Sequence, residues 1–204
     1  RPGVGQLGGA PAWRFARRSR TAGRRKPAEP DGDAPEMIDL PGGTFHRFPD
    51  RTEITVAPLA VARTHTTYAQ WKRVLHWAEA NGYAFARTGD MGSMAYFLHR
   101  HGPDEPVTRV TWHDAAVWCN ALSEMLARTP CYYTDPNRTE VYRRAFAWRA
   151  LKVSGPELVS ARPHRYSKYS YLLPQPRVFT RWDADGFRLP TAAEFEYALR
   201  AGGD

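Results

Sequence analysis

Apolar residues recur along this chain with two different spacings, and each spacing predicts a different element. From Met37, the run MIDLPGGTFHRF gives a short apolar stretch, a Pro-Gly-Gly turn and a second short strand-like stretch. EITVAPLAVA, residues 53–62, reads as a further strand. Three later segments follow the 3.6-residue period of a helix. Tyr68, Trp71, Val74, Leu75 and Ala78 share one helical face, and Asn81-Gly82 supplies a stop. Trp118, Leu122, Met125 and Leu126 make a second stripe; Phe195, Ala198 and Leu199 make a third. Each helix opens on a Thr that can accept from free backbone N–H groups while an acceptor three residues later reaches back. The pairs are Thr67/Gln70, Thr111/Asp114 and Thr191/Glu194. Together these predict an α+β fold with a β-rich opening.

Two stretches carry no such pattern. Residues 1–35 are rich in Gly, Pro, Ala and Arg and hold little to bury, so they are expected to be a disordered basic linker. Residues 36–204 are expected to form one domain. Within it, Thr129 to Gly186 contains CYYT, VYRRAFAW and a Tyr/Ser/Pro-rich run at 164–176, and reads as irregular strands and loops. A connection of this length marks a functional loop or a fold poor in regular structure.

Charge alters this picture only locally. The formal net charge is +8, but eight basic residues against three acidic ones fall within residues 1–35, so most of the excess is in that segment. A solvated tail accounts for it, and no nucleic-acid partner is expected. No run approaches the ~18 apolar residues of a membrane span, and no apolar signal region follows the basic start. Cys119 and Cys131 are too few for a disulfide scaffold, and the compartment stays open.

Four blocks in order carry a family resemblance. LPGGTF (Leu40 to Phe45), THTTYAQWKRVLHWAEANGY (Thr64 to Tyr83), EPVTRVTWHDAAVWCNALSEM (Glu105 to Met125) and RLPTAAEFEYALRAGG (Arg188 to Gly203) are similar to the formylglycine-generating enzyme, or sulfatase-modifying factor, family. TPCYYTD and WDADGFRLP resemble a bacterial branch of it. The resemblance implies a C-type-lectin-like α+β fold with little regular secondary structure. It also implies O2-dependent oxidation of a cysteine in a sulfatase-type partner to formylglycine, with copper held by two cysteines. Iron serves in relatives that make sulfoxides, and calcium sits in bound loops. Ala192 stands where the family signature has Glu, Phe195 where it has Trp, and His65 where a Glu precedes the first helix. The family's copper-binding cysteines and calcium loops lie mostly beyond the last block. The chain is therefore expected to be an incomplete domain, inactive alone, with no catalytic, copper, iron or calcium residue assignable in it. A non-catalytic C-type-lectin-like binding module is the alternative, with the Thr129–Gly186 loop contacting a ligand.

Individual candidates have modest readings. Cys119, beside the stripe of the second helix, and Cys131 are expected in the core, and a disulfide between them is conceivable. His99 and His101 have a spacing that metal sites use on strands, though a solvated loop is simpler; His46, His65, His76, His113 and His164 are scattered. Glu194 and Glu196 point about 200° apart on a helix and cannot share a substrate, and Arg188 is expected to hold an ion pair or a loop. Asp183, Asp185 and Gly186 echo half a calcium loop but fit a tight turn better. Tyr132, Tyr133, Tyr142, Phe146 and Trp148, with Arg143, Arg144 and Arg149, are expected in an irregular core, a peptide or sugar groove being the alternative. Asn137-Arg138-Thr139 matches a glycosylation sequon.

Overall fold

Why the opening strands stop where they do is set by Gly42 and Pro58. The computed structural model describes residues 16–18, 34–47, 49–92, 101–146 and 176–200. Strands β2 (Met37–Leu40) and β3 (Gly43–His46) are split by the predicted turn, in which Gly42 takes φ 76°. A Cβ at Gly42 would lie 2.6 Å from the Val56 carbonyl oxygen, so only glycine lets the two backbones approach. The expected single strand at 53–62 is two strands, β4 (Glu53–Val56) and β5 (Leu59–Ala62). Pro58 has no N–H to give a ladder, and at Ala57-Pro58 the chain leaves one sheet and enters another. β3 pairs antiparallel with β4, and β2 pairs antiparallel with β5.

The far edge of β5 is taken by β1 (Ala16–Arg18), giving the order β1-β5-β2. This corrects the expectation of a wholly disordered linker at 1–35, because the backbone of Ala16–Arg18 satisfies an otherwise open strand edge. Ala16 also exchanges backbone hydrogen bonds with Arg188, at 2.7 and 3.0 Å.

Helices α1 (Tyr68–Ala80), α2 (Trp112–Met125) and α3 (Ala192–Leu199) all begin with the predicted reciprocal caps. The start of α1 is further tied by a strap in which Tyr68 and Ala69 N–H groups donate to the Glu105 and Pro103 carbonyls, both at 2.8 Å. That strap runs between β6 (Asp90–Met91) and β7 (Val107–Thr108), which pair with each other. α1 and α2 meet through stacked Trp71 and Trp118 rings, 5.5 Å between centroids and 4° from parallel.

α2 is the axis of the larger core. It is buried without interruption from His113 to Ser123, wider than the stripe its periodicity predicts, and Met125 and Leu126 are only partly buried. Three polar residues on it are fully buried, and each holds an irregular segment. Asp114 accepts from the Ala86 and Arg87 N–H groups as well as from its own cap. Asn120 accepts from the Cys131 and Tyr132 N–H groups, both at 3.0 Å, and donates to the Tyr132 and Tyr142 carbonyls. The Ser123 hydroxyl donates to the Cys119 carbonyl and accepts from the Phe187 N–H. Buried side chains here do for the loops what a ladder does for a sheet. β8 (Tyr132–Tyr133) pairs with β9 (Phe179–Thr180), closing the described part of the long connection.

A smaller core gathers Ala16, Phe45, Val56, Leu59, Val61 and Tyr197. Tyr197, not the predicted Phe195 or Leu199, is the buried residue of α3, and Leu199 is 64% exposed. The Tyr197 hydroxyl donates to the Gly42 carbonyl at 2.6 Å, and its ring lies 6.0 Å from Phe45.

Candidate functional site

The crossover at Ala57-Pro58, the loop after β8, the turn after β9 and the start of α3 meet around one cleft of about 410 Å³. Its walls are Ala57, Pro58, Arg138, Trp182, Asp183, Arg188 and Glu194. That volume falls within the range of small-ligand and side-chain pockets.

Arg188 and Glu194 form the base. Two parallel bonds join them at 2.7 and 2.5 Å, and Glu194 also accepts from the Thr191 N–H at 2.7 Å. Burial alone would raise the Glu194 pKa, yet the bonds from Arg188 and Thr191 outweigh it and hold the carboxyl below its ordinary value. The Arg188 guanidinium also lies 5.0 Å from the centre of the Trp182 ring. Trp182 is 56% exposed, so its indole is held by this contact while much of it faces solvent.

Arg138 also lines the cleft, and its backbone is in the left-handed region, φ 58°. Its conformation is fixed by Asp135, whose carboxylate accepts from the Thr139 and Glu140 N–H groups at 2.9 and 2.8 Å and from the Thr139 hydroxyl. Those bonds, the Glu140 N–H first, keep the Asp135 pKa below its usual value. Asp183 is paired with Arg181 at 3.6 Å.

Behind the cleft sit both cysteines, buried and free. Burial pushes the Cys131 thiol up to about 12, with the Arg188 charge opposing. Burial, and then Cys131 itself, raise Cys119 well above its ordinary value. Both thiols are packed in the core, and the resemblance puts the copper-holding pair mostly beyond the last block, so neither is assigned to that pair. Asp185 does not fit a calcium loop: its carboxylate accepts from the Thr129 N–H at 3.0 Å, which lowers its pKa, and Gly186 packs against the Thr129 carbonyl.

The remaining candidates disperse. His101 pairs with Glu105 at 2.7 Å, whereas His99 lies outside the described residues, as do His164, Trp148 and Arg149. His113 is buried with its Nδ1 2.9 Å from the Tyr142 hydroxyl. His76 and His46 are exposed, His65 half-buried. Tyr132, Tyr133 and Tyr142 are buried in the core, Phe146 is partly buried, and Arg143 bonds Glu124 at 2.6 Å. Arg144 joins Ala84 through a backbone bridge. Glu196 turns away from Glu194 to bond Arg200. Among the described residues no three His, Cys, Asp or Glu side chains are grouped to hold a metal ion, and no helix is long and apolar enough to cross a membrane.

The sulfatase-modifying factor enzyme 1-like domain matches residues 22–204. The chain belongs to this family. Members of the sulfatase-modifying factor family share the C-type-lectin-like fold, and the crystal structure of CarF has it too, with a TM-score of 0.58 at 23% identity over 83% of this chain and 57% of CarF. Chaperone protein LppX of Paenibacillus barcinonensis is 31% identical over 171 residues, covering 82% of this chain and 46% of that protein. The chain thus spans about half the length of that curated relative.

Proposed function

We propose that the protein acts on a partner polypeptide in the manner of the sulfatase-modifying factors, the full activity being O2-dependent oxidation of a cysteine in a sulfatase-type partner. The continuous family match over residues 22–204 carries this reading. Within it, the residues described here supply framework and a binding surface. Both thiols are buried in the core, and the copper-holding pair of the family reading, which lies mostly beyond the last block, is assigned to neither Cys119 nor Cys131. The test is co-expression of the complete protein with a sulfatase and mass spectrometry of the sulfatase's modified cysteine. Conversion to an aldehyde that survives Cys119→Ala and Cys131→Ala supports the reading, and an unmodified cysteine overturns it.

A second reading, a binding module without oxidase activity, is favoured by the cleft beside Trp182, which is formed partly by the Thr129–Gly186 connection. It predicts ligand binding with the sulfatase cysteine left intact.

A further inference from the structure

Three separate segments and a helix converge on the cleft, yet most of its charge is already used. Arg188 and Glu194 neutralise each other through two bonds, and Asp183 is matched by Arg181. Among the described residues, Arg138 is the wall cation whose guanidinium has no carboxylate partner. It is exposed, and it is held in an unfavourable left-handed conformation by four hydrogen bonds: three to the Asp135 carboxylate and one from its own N–H to the Asp135 carbonyl. A non-glycine residue kept there costs energy, which the Asp135 bonds offset.

The apolar part of the lining offers a different chemistry. Among the described residues Trp182 is the second most exposed of the large apolar ones, after Leu199, and Ala57 and Pro58, which line the same cleft, are exposed too. Trp and Arg are the side chains on which interface binding energy concentrates, and here both line one recess together with the Arg188–Glu194 pair. The Trp182 indole rests against the Arg188 guanidinium, and the Asp135 turn fixes the backbone from which Arg138 projects.

We infer that this cleft is the recognition site for a peptide segment of the partner that carries an acidic side chain next to an apolar one. The carboxylate meets Arg138, and the apolar side chain lies on Trp182 against Ala57 and Pro58. Charge complementarity favours the acidic residue, since a basic one would face Arg138 and find Glu194 already bonded to Arg188. This rests on the reading that the protein acts on a polypeptide, and it names the segment that is held rather than the cysteine that reacts.

The test uses a random, cysteine-free dodecapeptide display library selected against the full chain, with Arg138→Gln and Trp182→Ala run in parallel. Thermal melts establish that both variants are folded; Trp182→Phe, which keeps a ring over Arg188, serves if Trp182→Ala is not. The expected result is enrichment of peptides with Asp or Glu beside Pro, Leu or an aromatic residue. A synthetic winner should bind at least about fivefold more weakly to either variant, and the Arg138 variant should lose most of the salt dependence. Equal enrichment on wild type and variants, or none, overturns the inference, as does binding of oligogalacturonate to the cleft without any peptide selected. Because the library lacks cysteine, a negative result with the sulfatase cysteine still converted would discard the cleft and leave the oxidase reading standing.

Discussion

The guanidinium of Arg188 meets the carboxylate of Glu194 through two bonds, 2.7 and 2.5 Å long, with side chains only 9% and 15% exposed. Neither charge is well placed without the other. Arg188→Met should cost about 3–5 kcal/mol, since it leaves Glu194 buried with only the Thr191 N–H as its donor. Chemical denaturation of the variant gives the number, and a loss under 1 kcal/mol would mean that water reaches the site freely.

The same pair sets an acid limit. The Glu194 pKa is held below its ordinary 4.5, so the unfolded chain binds the proton first as pH falls. Its contribution is complete above about pH 4.5 and is lost as pH drops through the lower native value. Glu194→Gln should flatten this part of the stability profile. An unchanged acid profile would show that other carboxylates control it.

Asn120 bonds four backbone groups of two segments with one side chain. Asn120→Leu keeps the branching at Cγ, strips all four bonds and adds bulk at a fully buried position, so it should cost roughly 3 kcal/mol or more. Hydrogen exchange localises the effect: the amides of Cys131 and Tyr132 should lose protection while those of α1 keep theirs. Uniform loss along the chain would point to global unfolding instead.

Both thiols should be silent toward a disulfide reagent at pH 8 in the native protein and react once denaturant is added. Cys131, raised from 9.0 to about 12, favours the folded state fully below pH 9 and loses that contribution as pH rises toward 12. Cys119, raised as well, acts in the same direction. The Cys119→Ala, Cys131→Ala double variant should therefore be less sensitive to alkali. Rapid native labelling of either residue would contradict the buried placement.

Gly186 has ordinary backbone angles but no room, since an added Cβ would fall 2.1 Å from the Thr129 carbonyl oxygen and 2.6 Å from the Ser123 hydroxyl. Gly186→Ala should destabilise by about 1–3 kcal/mol, by parting the Phe187 N–H from Ser123. Thermal denaturation checks this, and a neutral result would show that the loop can shift aside.

Local chemistry was the legible part of this fold. The three caps each lie within four residues, so Thr67, Thr111 and Thr191 announce their helices without tertiary information. Asp114 was visible only as a cap, and Asn120 and Ser123 read as ordinary helix residues. Their partners lie far along the chain in segments with no period, so nothing in the spacing points to them. Tyr197 was missed for the same reason, its acceptor Gly42 being at the other end of the domain. Of the cleft, Asp183, Arg188 and Glu194 stand out singly in the sequence, and Arg138 only as the middle of a sequon. Trp182, Ala57 and Pro58 join them through the break between β4 and β5, which the continuous apolar run at 53–62 conceals.

The strand at Ala16–Arg18 has a consequence for how the protein is made. Ala16 completes its bonds with Val61 on one side and Arg188 on the other. On the ribosome this early segment emerges long before Arg188 is synthesised, and contacts of such wide sequence separation close slowly. Through most of translation one edge of the β5 sheet therefore stays open to other chains, and only the arrival of the Arg188 segment seals it.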